Sequence, residues 1–178
     1  MIFNKTPFKD VYTLKLNRFF DNRGDFLKVF NKDFFTAHNI NFDIAEFFYS
    51  TSNKNVIRGM HFQLPPYQHS KLVFAMSGSV LDVIVDLRKN SETFRNFFKV
   101  RLSNEENNAL FIPEGFAHGF LSLEDNTVMC YLQSSCYNKQ SDSGIKYNSF
   151  GFDWCVKKPI VSERDLDFQN LKDFVSPF

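Results

Sequence analysis

No charge of either sign dominates this chain: 21 Lys and Arg stand against 20 Asp and Glu in 178 residues. Without a net field there is no long-range pull towards nucleic acid or an anionic membrane, so neither is expected as a partner. An anionic ligand must then be met by a few local cations. Cysteine is scarce. Cys130, Cys136 and Cys155 are odd in number and lack CxxC spacing, which argues against a disulfide framework or a zinc site and fits reduced thiols in a cytoplasmic protein. No run approaches the ~20 apolar residues of a transmembrane helix. Met1 to Asp10 mixes Lys5, Lys9 and Asp10 with short apolar pieces and lacks the apolar centre of a secretory signal. Repeats, low-complexity stretches and linkers are missing too, so residues 1–178 are expected to form one domain around one core.

What the chain has in quantity is phenylalanine, 24 residues against a single Trp, within an ordinary 43% hydrophobic and 23% charged composition. Large aromatics suit pleated, half-buried surfaces, so the fold leans to β. The clearest strand is Val80 to Leu87: Leu81, Val83, Val85 and Leu87 share one face, and Val80, Asp82, Ile84 and Asp86 the other. Shorter runs at Val11–Leu16, Phe26–Phe30, Val56–Phe62, Lys71–Met76, Phe97–Leu102, Ala109–Ile112 and Thr127–Leu132 also read as strands. Asn22-Arg23-Gly24, Pro65-Pro66, Ser77-Gly78 and Pro113-Glu114-Gly115 supply turns between many of them, as an all-β sandwich or barrel requires. Only Lys32–His38 and the tail Glu163–Phe174 read as short helices.

Polar chemistry is densest in Arg58-Gly59-Met60-His61-Phe62-Gln63, followed beyond a Pro-Pro loop by Lys71. Base, cation and amide meet there on two neighbouring strands. A strand histidine alone is more often structural than catalytic. A second one, His118 in Pro113-Glu114-Gly115-Phe116-Ala117-His118, follows a turn where a barrel mouth is expected and shifts that balance. Arg58 and His61 are separated by an odd step and point to opposite faces of an ideal strand, so their convergence on one pocket requires a bulge. Gly59 is the residue that permits it.

Four separated blocks, FFDNRGDF at Phe19–Phe26, RGMHFQ at Arg58–Gln63, DVIVDLR at Asp82–Arg88 and IPEGFAHGF at Ile112–Phe120, carry a resemblance over nearly the whole chain. The sequence resembles the dTDP-4-dehydrorhamnose 3,5-epimerase family. That resemblance implies an all-β jelly-roll (cupin) barrel with a few short helices, assembled as a homodimer. Many cupins hold a metal through two histidine motifs, and Pro113 to His118 looks like the second of these. The first would need HxH where this chain has His61-Phe62-Gln63, so a metal site is not expected, nor any other cofactor.

The implied reaction inverts sugar carbons beside a 4-keto group, whose hydrogens are acidic because the carbanion spreads onto the carbonyl oxygen. A base must take a proton, an oxyanion must be steadied, and an acid must return a proton to the other face. By resemblance the base is His61 and its carboxylate partner is Asp165, in Ser162-Glu163-Arg164-Asp165. Lys71 is then the donor to the enolate oxygen, Tyr131 the acid on the opposite face, and Arg58 the fork that holds the diphosphate. His118 supports the sugar or its carbonyl. Phe19 and Arg23 help to close a neighbouring subunit's nucleotide site, and Glu46, Gln63 and Tyr137 complete the expected substrate contacts.

Departures from the family pattern fall in ligand-contacting regions. Glu46 and Phe48 stand where the family has Gln and Asn, Lys28 replaces an acid, Tyr147 to Phe150 replaces a Trp-Asp-Asp-Pro segment, and Cys136-Tyr137 replaces Tyr-Tyr. The nucleotide-sugar substrate is therefore expected to be dTDP- or GDP-linked, the GDP form carrying a 4-keto-6-deoxy hexose or heptose, for a cell-surface polysaccharide such as capsule or lipopolysaccharide. Two rivals keep the fold: 3,4-ketoisomerisation of a related sugar, and a non-catalytic sugar-nucleotide-binding barrel. His61 together with Tyr131 favours epimerisation, and the intact His61, Asp165, Lys71 and Tyr131 argue against lost catalysis.

Overall fold

The structure is a computed structural model that describes residues 1–178. Its strands in chain order are β1 (Ile2–Lys5), β2 (Tyr12–Lys15), β3 (Asn17–Asp21), β4 (Gly24–Lys28), β5 (Glu46–Ser52), β6 (Ile57–Gln63), β7 (Lys71–Ser77), β8 (Ser79–Asp86), β9 (Phe97–Ser103), β10 (Asn108–Ile112), β11 (Phe116–Ser122), β12 (Thr127–Gln133) and β13 (Asp142–Gly144). The helices are α1 (Lys32–Ala37) and α2 (Glu163–Asp167), with a 3₁₀ turn at Leu171–Asp173. One sheet runs β1-β2-β10-β7-β12-β5, the other β13-β6-β11-β8-β9, and β3 pairs only with β4 in a separate hairpin. No helix is long and apolar enough to cross a membrane.

Three apolar layers hold the sheets. Between them lie Val73 and Ala75 of β7, Leu110 and Ile112 of β10 and Met129 of β12, facing Val80 and Ile84 of β8, Leu102 of β9 and Phe120 of β11. The outer face of the first sheet packs Leu14, Leu72, Phe74, Phe111 and Leu132 under Phe35 of α1 and Phe42. The outer face of the second packs Ile57, Met60, Val83, Val85 and Leu121 under Phe152, Trp154, Leu171 and Phe174 of the C-terminal segment. Each large side chain buried in these layers contributes roughly 1.5–3 kcal/mol relative to exposure. The alternating faces of β8 are thus both buried, one towards the core and the other under the C-terminal segment.

The helical tail expected from Glu163 to Phe174 is not continuous. Ser162 caps α2, its hydroxyl accepting from Asp165 N–H, but Phe168 is extended (φ −60°, ψ 151°) and the chain regains a single 3₁₀ turn only at Leu171. The strand expected at Phe26–Phe30 lies earlier, at Gly24–Lys28, because it pairs back to back with β3 across Asn22 and Arg23. His118 sits inside β11, opposite Ile84 of β8, and is buried rather than placed at a rim.

Candidate active site

The bulge at Gly59 is present. His118 of β11 faces His61 while Phe120 faces Arg58, so β6 uses three steps where β11 uses two. Gly59 has φ +143°, and a Cβ there would lie 2.5 Å from Gly119 Cα, so the two strands approach as closely as two glycines allow. The extra residue sends Met60 into the outer core and turns both Arg58 and His61 into a cavity of about 340 Å³ at one end of the space between the sheets.

His61, Lys71, Tyr131, Arg58, His118, Glu46, Gln63 and Tyr137 all line that cavity. Asp165 stands behind it in the first turn of α2, with Oδ1 2.8 Å from His61 Nε2. Its Oδ2 accepts from Gly59 N–H at 3.0 Å, so the carboxylate ties the bulge and the imidazole together. Burial alone would raise the Asp165 carboxyl, but the hydrogen bond and charge of His61, the Gly59 N–H and the Arg164 charge outweigh it and hold the group below the usual carboxylate range. An ionised partner at Nε2 keeps the ring hydrogen there and leaves Nδ1 as the basic nitrogen.

Lys71 is buried, and its ammonium donates to His61 O at 3.3 Å. Burial pushes it down to about 8, with Asp82 and Asp142 offsetting part of that. Tyr131 comes from the facing sheet. Its hydroxyl is 3.3 Å from Ser50 Oγ and its ring stacks on Phe48 at 4.7 Å. Burial raises the phenol well above its ordinary value, Ser50 opposing only in part, so it holds its proton firmly until a strong base approaches. Arg58 is braced by Ser52 Oγ and Thr51 O, both at 3.0 Å.

At the mouth, Glu46 Oε2 accepts from Tyr137 N–H at 2.9 Å, and Tyr137 OH donates to Asp142 Oδ2 at 3.4 Å. Gln63 is engaged by backbone: its amide nitrogen donates to Tyr67 O and its oxygen accepts from Asn138 N–H. Phe19 and Arg23 lie on the β3–β4 hairpin beside a separate surface depression and do not reach this cavity within one chain.

Several residues in or behind the cavity wall escape the sequence reading. Asp82 pairs with His118, Oδ2 to Nε2 at 2.9 Å, and both are buried. An acid on the same strand face as Val80 and Ile84 is the signal for such a pair, since a buried carboxyl demands a partner. Arg164 bridges Asp142 at 2.7 Å on the rim, and His69, Ser50 and Gln133 also line the wall, beside the Phe48 already singled out in the sequence. No three His, Cys, Asp or Glu residues gather as a metal-ligand group.

A jelly-roll sandwich with one polar end, where a carboxylate-backed imidazole faces a buried ammonium and phenol, defines a cupin-type enzyme equipped for proton transfer at carbon. The chain belongs to the dTDP-4-dehydrorhamnose 3,5-epimerase family, whose profile matches residues 5–173. It is 39% identical over 172 residues to the dTDP-4-dehydrorhamnose 3,5-epimerase of Shigella flexneri, covering 95% of each chain. The crystal structure of the enzyme of that name from Elizabethkingia anophelis superposes with a TM-score of 0.91 at 36% identity, covering 97% of each chain. The Legionella pneumophila dTDP-6-deoxy-D-glucose-3,5-epimerase, solved with dTDP-4-keto-L-rhamnose, gives 0.93 at 29% identity over 98% of this chain and 94% of that one. Membership makes the protein an isomerase acting on carbohydrate and leaves the ketoisomerase and non-catalytic rivals without support.

Proposed function

We propose that this protein epimerises a nucleoside-diphosphate-linked 4-keto-6-deoxy sugar next to the keto group, at carbons 3 and 5 or at carbon 3 alone, without a cofactor. The observation that carries the mechanism is the 2.8 Å His61–Asp165 pair opening onto the same cavity as Lys71 and Tyr131. His61 Nδ1 takes the proton, the C–H electron pair moves into the carbonyl, and the enolate oxygen accepts a hydrogen bond from the Lys71 ammonium. Asp165 stabilises the imidazolium. Tyr131 then delivers its proton to the opposite face. The imidazolium returns its proton to water and the phenolate regains one, so only the configuration has changed. Arg58 binds the diphosphate with its N–H groups that remain beyond Ser52 and Thr51, and His118 supports the sugar from the cavity floor.

The whole chain, 1–178, acts as one epimerase domain. It works as a homodimer in the cytoplasm, making a sugar for capsule or lipopolysaccharide. Support for the dimer comes from exposed Phe19, Phe20 and Phe26 on a hairpin that pairs with no other strand, and from Phe47 and Tyr49 on β5, a free sheet edge. In this reading Phe19 and Arg23 complete the neighbour's nucleotide site. The nucleotide is dTDP or GDP: Glu46 at the mouth, with Phe48 two residues on, offers a carboxylate that a base with two N–H donors would suit, so GDP-linked sugars stand beside dTDP-linked ones. The test is incubation with dTDP- and GDP-linked 4-keto-6-deoxy sugars, hexose and heptose, in deuterium oxide. Inverted sugar carrying one or two deuterons identifies the substrate and the carbons. No deuterium uptake from any of them refutes the reading.

A further inference from the structure

Among the buried residues that line the cavity, His69 has no part in the chemistry proposed above. It is 9% exposed, in the loop between Pro66 and β7. Its Nδ1 faces Gln63 Nε2 at 3.2 Å. Gln63 cannot turn its amide around, because Nε2 donates to Tyr67 O at 2.8 Å and Cys136 O at 3.1 Å while Oε1 accepts from Asn138 N–H at 2.6 Å. An amide nitrogen has no lone pair to accept with, so a hydrogen on Nδ1 would meet the Gln63 hydrogens head-on at 3.2 Å, and Ser135 Oγ stands farther off at 3.5 Å. Nδ1 therefore turns its lone pair to the N–H that Gln63 shares with Cys136 O, and the ring hydrogen sits on Nε2. Nε2 is itself buried and has no acceptor in the protein. Burial, reinforced by the charges of Lys71 and His118, pushes the imidazole down to about 2, so the ring stays neutral at every working pH.

A buried donor without an acceptor is unfavourable unless something else supplies the acceptor. His69, Gln63, Lys71, His118 and Tyr131 belong to the buried part of the cavity wall, whereas Arg58 and Tyr137 at the mouth are exposed. If that part holds the sugar, as the acid–base assignment requires, its residues meet the sugar and not the nucleotide. We propose that His69 is a specificity-determining residue of this site, its Nε2–H donating to an oxygen of the sugar deep in the cavity beside Lys71. Unlike Lys71 it brings no charge, so it orients the ring without adding to enolate stabilisation. It selects sugars that carry an acceptor at that place. The inference rests on the epimerase reading for the identity of the sugar, and on the Gln63 geometry for the donor.

The test follows the His69 Nε2–H resonance in protein labelled with ¹⁵N-histidine, assigned by its loss in His69→Gln. The protein is titrated with dTDP, dTDP-glucose, GDP and GDP-mannose. In whichever nucleotide series binds, the resonance is expected to move with the sugar nucleotide and stay in place with the bare nucleoside diphosphate. No movement, or equal movement with both, overturns the proposal. In kinetics, His69→Phe should lower kcat/KM for the keto sugar by about tenfold or more, with the Kd of the bare nucleoside diphosphate unchanged. His69→Gln, which keeps an N–H near the same place, should recover most of the loss. Unchanged kcat/KM in His69→Phe, or no recovery in His69→Gln, overturns it. A resonance that follows the sugar in a protein that inverts no sugar upholds His69 as a sugar contact and removes the epimerase reading instead.

Discussion

Two histidine–carboxylate pairs stand across neighbouring strands, and they differ in almost nothing but access. His61–Asp165 and His118–Asp82 have contact distances of 2.8 and 2.9 Å, and His61 and His118 face each other in register between β6 and β11. Yet the His61 side chain is 30% exposed and that of His118 4%. Burial lowers His118 and raises Asp82, each countered only in part by the other, so the inner pair resists separating charge. The Asp165 carboxyl moves the opposite way, below its ordinary value, ready to balance an imidazolium. The same two residue types therefore make a base where the imidazole is open to water and a fixed support for the sugar where it is buried. Pair geometry alone does not define a catalytic dyad.

The strongest way to break this comparison is to remove the two imidazoles in turn. His61→Ala should cut deuterium exchange at the sugar by about 10³-fold or more, while the Kd of the nucleoside diphosphate stays near wild type. His118→Ala should keep measurable exchange. If the two losses are reversed, the buried pair is the base. The next effect is at Tyr131, on the sheet opposite His61. Tyr131→Phe removes only the hydroxyl and keeps the stack on Phe48, so inverted product should fall by about 10²-fold while solvent deuterium still enters the starting sugar. Normal yields of inverted sugar would make Tyr131 structural. Smaller still is the contrast between the carboxylates. Asp165→Asn should lower kcat by about 10- to 10²-fold, because the imidazolium loses its counter-charge, and Asp82→Asn should stay within about threefold. Steady-state rates of the two variants decide it.

The pair that matters most is also the one hardest to see in the chain. His61 and Asp165 are 104 residues apart, and without the family resemblance Asp165 reads as a solvated acid in a charged helical turn. β8 is plain from its alternation, and the need for a bulge at Gly59 follows from the odd spacing of Arg58 and His61. β5 escapes the same reading because Phe47 and Phe48 are adjacent and both exposed, and β11 because its His118-Gly119 pair, close behind the Pro113–Gly115 turn, looks like a loop motif. β3 is half polar and pairs only with β4. His69 hides in a Pro-Pro loop, where only the fixed amide of Gln63 reveals which nitrogen carries the hydrogen. Periodicity reports which face of a strand is buried. It says nothing about which buried polar groups meet across sheets.

The smallest expected effect separates the two carboxylates by pH. Lys71 lies among the cavity residues with both histidines, and its folded value is about 8 against an ordinary 10.5. Its ammonium must be charged to steady the enolate, so it is active below about 8 and lost as pH rises through that value. The wild-type rate should therefore have an alkaline limb near pH 8. Lys71→Arg, a cation that stays charged, should lower the rate through misplacement yet carry the residual activity to higher pH. Burial drives the Lys71 shift, and the Asp82 and Asp142 charges oppose it, whereas Asp165 does not enter. Removing a charge that raises the lysine must lower it further. Asp82→Asn should thus move the alkaline midpoint below that of wild type, while Asp165→Asn leaves it in place and lowers only the plateau. The measurement is kcat for each variant between pH 6 and 10. A midpoint that shifts in Asp165→Asn and not in Asp82→Asn would mean that Lys71 answers to the open pair, and that the buried one does not tune the oxyanion site.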